Sequence, residues 1–112
     1  MKKESIFTGA ATAIVTPMNA QGIDYPAFAR MLNWQVEQGI DALVICGTTG
    51  EASTLTHEEH IDVIRACVEM VNGRVPVIAG TGSNYTDHAE EMSIKARDAG
   101  ANGLLCVTPY YN

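Results

Sequence analysis

Two glycines and two threonines follow an apolar run near the middle of the chain. Residues 47–51 (GTTGE, called here the GTTGE loop) come directly after residues 42–46 (ALVIC). The glycines permit a tight turn whose backbone N–H groups can converge on a carboxylate or a phosphate. The hydroxyls of Thr48 and Thr49 could donate to the same anion or pass a proton, and we expect Glu51 to fix the loop by accepting local N–H bonds. The pattern indicates a small-anion site, although a plain turn could use the same residues.

Consecutive tyrosines follow the last apolar run. Residues 108–112 are TPYYN, and the neighbouring side chains of Tyr110 and Tyr111 must point in different directions. One tyrosine could face a ligand while the other packs elsewhere, for example on another subunit. Aromatic packing at a strand end would give the same sequence, so the pattern leaves both interpretations open.

Other chemical motifs fail on spacing. His57 and His60 are arranged as H-E-E-H, one residue short of the H-E-x-x-H zinc motif, so no metal site is predicted and the pair is expected to be solvated or capping. Residues 80–85 (GTGSNY) have Tyr85 where a dinucleotide fingerprint needs its third glycine, and no cofactor is predicted.

The lysines are placed badly for covalent catalysis. A Schiff-base lysine needs a buried, desolvated position, whereas Lys2 and Lys3 lie in the N-terminal tail and Lys95 falls within a helical pattern. The sequence therefore predicts loops that bind a ligand, but none of its three lysines is placed to act as a nucleophile.

Four apolar runs alternate with three helical patterns. The runs 11–16, 42–46, 75–79 and 103–108 are nearly uninterrupted, as in strands covered on both faces. The first helix is predicted from Asp24 to Gly39, and the second opens at a capping box, Thr56 to Glu59, and ends at residues 72–73. The third is predicted from Thr86 to Gly100.

The order βαβαβαβ, with strands starting about every thirty residues, predicts parallel pairing in one α/β domain over residues 1–112. An internal echo, GIDALV at 39–44 and GANGLL at 100–105, favours the N-terminal half of a (β/α)8 TIM barrel. A flavodoxin-like sheet is the alternative. In both folds, ligands bind beyond the carboxyl ends of the strands, where the GTTGE loop and the tyrosines fall.

Composition excludes several function classes. The formal net charge is −6 and the seven basic residues are scattered, which argues against a nucleic-acid partner. Hydrophobic residues make up 46% of the chain, but no run is long enough to cross a membrane, and a cytoplasmic protein is expected. The three cysteines form no C-x-x-C pair, and Cys46 and Cys106 are predicted to be small buried thiols.

Four segments together resemble the dihydrodipicolinate synthase family: FTGAATAIVTPM, GTTGEASTLTHEEH, VPVIAGTGSN and LLCVTPYYN. Their order and spacing match the first four βα steps of that family over essentially the whole chain. N-acetylneuraminate lyase and related aldolases share the barrel but typically place Ser before Thr in the GTTGE segment. The Thr48–Thr49 pair therefore favours the synthase.

The resemblance implies a lyase that condenses pyruvate with aspartate semialdehyde in lysine and diaminopimelate biosynthesis. Pyruvate would form a Schiff base with a lysine, lose a methyl proton and attack the aldehyde. Thr48 matches a proton-relay and substrate-binding residue, Thr49 matches the residue that binds the pyruvate carboxylate, and Tyr111 matches a relay tyrosine that reaches into the partner's site. A homo-oligomer, dimer or tetramer, is implied.

The resemblance also implies a possible site for feedback inhibition by lysine. The positions that match its lining are Ser53, His57, His60, Asn84 and Tyr110. Regulated members often have a glutamate where this chain has His88, and a histidine would not attract the ammonium group of lysine.

The family's Schiff-base lysine, second relay tyrosine and entrance arginine match positions beyond Asn112. The 112 residues by themselves are therefore predicted to be inactive, and a half barrel should expose open strand edges and associate. Two alternatives stay open: a half-barrel interaction module, or a lyase acting on another 2-keto acid.

Overall fold

A computed structural model describes residues 4–83 and 85–107. Its elements in chain order are strand β1 (Ala11–Ala13), the short strands β2 (Met18–Asn19) and β3 (Gly22–Ile23), helix α1 (Tyr25–Glu37), strand β4 (Ala42–Ile45), a 3-10 turn (Ala52–Thr54), helix α2 (His57–Val71), strand β5 (Val77–Gly80), helix α3 (Thr86–Asp98) and strand β6 (Gly103–Leu105).

Four parallel strands form the sheet, in the order β1-β4-β5-β6. One row of the register runs through Ala13, Val44, Ile78 and Gly103. Within the part of the chain that the structure describes, each strand of this sheet lies beside its predecessor, so the sheet never reverses its direction of growth. A doubly wound sheet would reverse, and the alternative flavodoxin-like topology is therefore excluded for these strands.

The helix starts follow from local hydrogen bonds that the sequence predicts. The Asp24 side chain accepts from the backbone N–H of Ala27 at 3.0 Å, which caps α1. Thr56 and Glu59 form both halves of the capping box at α2, with distances of 3.1 and 2.9 Å. These caps satisfy N–H groups that no helix can satisfy internally at its first turn.

The core lies between the sheet and a single layer of helices. Helix α2 supplies most of its helical side chains, and the strands supply Leu43, Ile45, Val77 and Ala79. Strands β1 and β6 are the two edges of the sheet. Strand β6 leaves Leu104 and Leu105 nearly half exposed, which agrees with the expectation of open edges.

All four observed strands of the parallel sheet differ from the predicted ones at one end or at both. Strand β1 ends at Ala13 instead of Thr16, and an antiparallel pair, β2 and β3, follows it. The turn between the two short strands accounts for this pair: Asn19 accepts from the N–H of Gln21 at 2.9 Å, and Gly22 has a φ of +123°. Strand β4 ends at Ile45 instead of Cys46, and strand β5 runs from Val77 to Gly80 instead of from Val75 to Ala79. Strand β6 ends at Leu105 instead of Thr108, which lies outside the described residues.

None of the helices in residues 4–83 and 85–107 is both long and apolar enough to span a membrane.

Candidate functional site

The carboxyl ends of the parallel strands meet at one edge of the sheet, and a cavity of about 510 Å³ opens there. Its lining comes from the GTTGE loop, the 3-10 turn, the first turns of α2 and α3, and the ends of β5 and β6. The chemically active side chains in that lining are Cys46, Thr48, Ser53, His57, His60, Ser83 and His88. The lining contains no Asp, Glu, Lys or Arg, so within the described residues this cavity is polar without a fixed charge.

The GTTGE loop is a closed turn whose internal bonds leave two amides free. Gly50 donates its N–H to the carbonyl of Gly47 at 3.1 Å, and Glu51 donates to Thr48 at 2.9 Å. In residues 4–83 and 85–107, no backbone acceptor takes the N–H of Thr48 or Thr49. Both threonines are exposed, so their amides and hydroxyls are available to a small anion.

The segment that follows strand β1 holds the far end of the loop. Thr16 is only 3% exposed, and its hydroxyl donates to the carbonyl of Gly50 at 2.7 Å. A Cβ on Gly50 would lie 3.1 Å from the carbonyl oxygen of Ile14, so the loop packs closely against the chain after β1. Thr16 was expected at a strand end where ligands bind, but its role in holding the loop was not predicted.

Two non-glycine residues with left-handed backbones frame the loop. Cys46 precedes it with a φ of +59°, and Glu51 ends it with a φ of +58°. The expectation that the Glu51 side chain fixes the loop was wrong, because in the described residues its carboxylate accepts no hydrogen bond. Its backbone carbonyl does so instead, taking the hydroxyl of Thr54 at 2.8 Å.

His60 binds the neighbouring strand. Its Nε2 lies 2.7 Å from the carbonyl oxygen of Gly80, so Nε2 carries the proton and donates it. The carbonyl of His60 accepts from the thiol of Cys46 at 3.8 Å. The expectation of a solvated or capping histidine was therefore wrong for His60, because it lies one turn into α2 on the side that faces the sheet.

Burial lowers the pKa of His60 from its usual 6.5, although its bond to Gly80 opposes this and the nearby His57 and His88 reinforce it. The unfolded chain therefore takes up a proton at this residue before the folded chain does. The free energy of unfolding is expected to fall as the pH is lowered below 6.5, and to be insensitive to this residue above it. Urea unfolding from pH 8 to pH 5 would measure the slope. His60→Gln should flatten it, and an equal slope in both proteins would contradict the assignment.

The rings of His57 and His88 stack at the mouth of the cavity. Their centroids are 4.0 Å apart and the planes differ by 24°. Ser53, His57 and His60 thus line one cavity, together with Thr48 but not Thr49. Asn84, Tyr110 and Tyr111 lie outside the described residues. Within the described ranges, no group of three His, Cys, Asp or Glu side chains is placed to bind a metal ion.

The cysteines differ in their surroundings. Cys46 and Cys67 are buried, and burial raises the pKa of both thiols to about 12, so they stay protonated and unreactive at neutral pH. Cys106 was expected to be buried and is exposed, because β6 is an edge strand. Its thiol lies 3.3 Å from the hydroxyl of Thr81.

A second groove, of about 540 Å³, lies on the outer side between α2 and α3. It contains no strand-end residue, and its cations are paired on the surface: Arg65 with Asp62 at 3.2 Å and Lys95 with Glu91 at 2.9 Å. Lys95 is thus a solvated helix residue, as expected, and this groove offers no nucleophile.

Comparisons of the sequence and of the structure with known proteins identify the same family. The model of the dihydrodipicolinate synthetase family matches residues 6–112. The 4-hydroxy-tetrahydrodipicolinate synthase of Oleidesulfovibrio alaskensis is 58% identical over 106 residues, which are 95% of this chain and 36% of that protein. The chain thus spans little more than a third of the length of this relative.

Solved structures have the same backbone. The chloride-inhibited dihydrodipicolinate synthase from Acinetobacter baumannii, complexed with pyruvate, is 47% identical with a TM-score of 0.91, over 96% of this chain and 37% of that one. A monomeric dihydrodipicolinate synthase variant is 40% identical with a TM-score of 0.91, over 95% of this chain and 35% of that one. The four parallel strands and their helices are therefore part of a (β/α)8 barrel.

Proposed function

Because this chain belongs to the dihydrodipicolinate synthetase family, we propose that it forms the first four βα steps of a 4-hydroxy-tetrahydrodipicolinate synthase. The reaction is the condensation of pyruvate with L-aspartate-4-semialdehyde in lysine and diaminopimelate biosynthesis. The observation that carries the proposal is the GTTGE loop, which presents the free amides and hydroxyls of Thr48 and Thr49 at the carboxyl ends of the strands.

The proposed chemistry divides between this chain and the rest of the barrel. A lysine amine from the remainder adds to the C2 carbonyl of pyruvate, water leaves, and loss of a methyl proton gives an enamine that attacks the aldehyde carbon. Thr49 holds the pyruvate carboxylate through its N–H and hydroxyl, which keeps the carbonyl facing the amine. Thr48 passes protons without adding a charge, and Tyr111 continues that relay. Without the lysine, residues 1–112 alone would not catalyse the reaction.

The proposed assembly is a homo-oligomer in the cytoplasm. The proposed role of Tyr111 requires it to enter a partner subunit's site. The apolar residues exposed on β6 would be covered by the following strands of the barrel.

The cavity beside the loop is proposed as an effector site for lysine. Ser53, His57 and His60 already line it together, and Asn84 and Tyr110 would complete it. The stacked His57 and His88 present no carboxylate to an ammonium group. We therefore expect weaker feedback inhibition by lysine than in relatives that carry a glutamate at the position of His88.

A half-barrel interaction module is the second candidate, favoured by the exposed edge at Leu104 and Leu105. Light scattering of the 112-residue chain separates the two. A defined dimer favours the module, and a polydisperse mixture favours an incomplete barrel.

The direct test joins residues 1–112 in register to the remainder of the Oleidesulfovibrio alaskensis synthase; this protein is called the joined barrel. We expect borohydride to trap one reduced pyruvate per subunit by mass spectrometry, and the joined barrel to consume aspartate semialdehyde with pyruvate. The 112-residue chain treated in the same way should gain no mass. A folded joined barrel that traps no pyruvate would overturn the proposed function, and one that prefers another aldehyde would favour a related lyase.

A further inference from the structure

The turn at Cys46 is strained and needs support from outside the loop. A β-carbon at a φ of +59° is unfavourable, and such residues cost on the order of 1–3 kcal/mol unless their surroundings hold them. Cys46 is also 2% exposed and lies directly before Gly47. Whatever holds Cys46 therefore sets the direction in which the GTTGE loop leaves the strand.

His60 contacts the strained turn by two routes. Its backbone carbonyl accepts from the Cys46 thiol at 3.8 Å, a weak bond within the sulfur range. Its ring donates to the carbonyl of Gly80 at 2.7 Å, and Gly80 packs directly on the backbone of Cys46 and Gly47. Helix α2 thus holds strand β5 and, through it, the start of the loop.

The bond to Gly80 is also well insulated. His60 is only 9% exposed, and the cavity lining has no ammonium or guanidinium group to compete for the Gly80 carbonyl and no carboxylate to compete for the His60 proton. A buried carbonyl without its donor would cost more than the bond itself contributes, so this contact has to be kept in the folded chain.

We propose that His60 is a positioning residue for the GTTGE loop: it holds the left-handed turn at Cys46 and so orients the amides of Thr48 and Thr49. The proposed contacts with substrate belong to Thr48 and Thr49, and His60 acts through the loop that carries them. The effect on the loop stands on the geometry alone, and the consequence for pyruvate rests on the proposed function. This role is additional to the proposed place of His60 in the effector cavity.

The first experiment measures amide hydrogen exchange in the joined barrel by mass spectrometry of short peptides that cover the loop. In His60→Leu, which cannot donate, the loop-closing amides of Gly50 and Glu51 should exchange about tenfold faster, as loss of one hydrogen bond implies. His60→Gln, whose side-chain N–H can reach Gly80, should stay within about threefold of the parent chain. The core amides of α2 provide the reference for global stability.

Unchanged exchange of Gly50 and Glu51 in His60→Leu would overturn the proposal. If that variant does not fold, His60→Asn replaces it, because the shorter amide side chain does not reach Gly80 as glutamine does. Equal exchange in the Asn and Gln variants would then overturn it. Faster exchange throughout the protein would also overturn it, since this would show a structural role only.

The second experiment uses the joined barrel. His60→Leu should raise KM for pyruvate about tenfold with a smaller change in kcat, and His60→Gln should restore KM. If the joined barrel is inactive, the proposed function fails while the exchange result still decides the positioning role. An unchanged KM for pyruvate in an active joined barrel would contradict the orientation of Thr48 and Thr49 by His60.

Discussion

Gly80→Ala is expected to lower the free energy of unfolding by about 3 kcal/mol, at the upper end of the range for overpacking. A Cβ at this position would lie 2.3 Å from the carbonyl oxygen of Cys46 and 3.1 Å from the Cα of Gly47. Both are backbone atoms, so no side-chain rotation relieves the clash. The backbone must shift by several tenths of an ångström, which separates strand β5 from the GTTGE loop and breaks the bond of His60 to the Gly80 carbonyl.

Gly47→Ala is the matched control, because it adds the same methyl group one residue from the same contact. Among the described residues, a Cβ there would meet only Cγ1 of Val44, at an ordinary 3.7 Å. Urea unfolding of the two variants at pH 8 would give the comparison. A loss of less than about 1 kcal/mol in Gly80→Ala, or an equal loss in both variants, would contradict the close packing of loop and strand.

Local sequence signals predicted most of the fold correctly. The caps at Asp24 and Thr56 and the left-handed Asn72 that ends α2 depend on neighbouring residues, and the structure confirms all three. The sequential parallel order of β1, β4, β5 and β6 follows from the alternation of strands and helices. In each case the physical cause lies within a few residues in sequence or in a single repeated unit.

Several of the incorrect predictions concern contacts between distant residues. His60 has the sequence context of an exposed helix start, and only the packing of α2 on β5 brings its ring to Gly80. Thr16 reaches Gly50 over 34 positions of sequence for the same reason. The exposure of Cys106 depends on β6 being an edge, which a local apolar pattern does not reveal.

The candidate site was predicted in part. The GTTGE loop and its two threonines were identified from residue types alone, and the structure places Thr48 in a cavity with Ser53, His57 and His60. The strain at Cys46 and Glu51 could not be predicted, because neither residue favours a left-handed backbone. Both residues lie beside long-range contacts that a local pattern does not contain, between Thr16 and Gly50 and between Gly80 and Cys46.

The role of the Thr48 hydroxyl can be tested by replacing Thr48 with valine, and Thr54→Val is the control for that experiment. It removes a threonine hydroxyl from the same region without removing a proposed contact with substrate. The Thr54 hydroxyl donates to the carbonyl of Glu51 at 2.8 Å and is exposed in the 3-10 turn. Its loss should change kcat of the joined barrel by no more than about threefold, because the turn keeps its backbone bonds. A large loss in Thr54→Val would mean that kcat reports the integrity of the turn instead of proton transfer.

Thr48→Val should reduce kcat of the joined barrel about a thousandfold, within the range by which a positioned proton donor accelerates a reaction. Valine matches threonine in shape, and the loop bond from Glu51 uses the Thr48 carbonyl, so the turn survives while the hydroxyl is lost. Thr48→Ser keeps the hydroxyl and should recover most of the rate. Because proton transfer, and not carboxylate binding, is removed, KM for pyruvate should change much less than kcat. Steady-state kinetics of the three variants decide the point: kcat within about threefold of the parent in Thr48→Val would remove Thr48 from the relay.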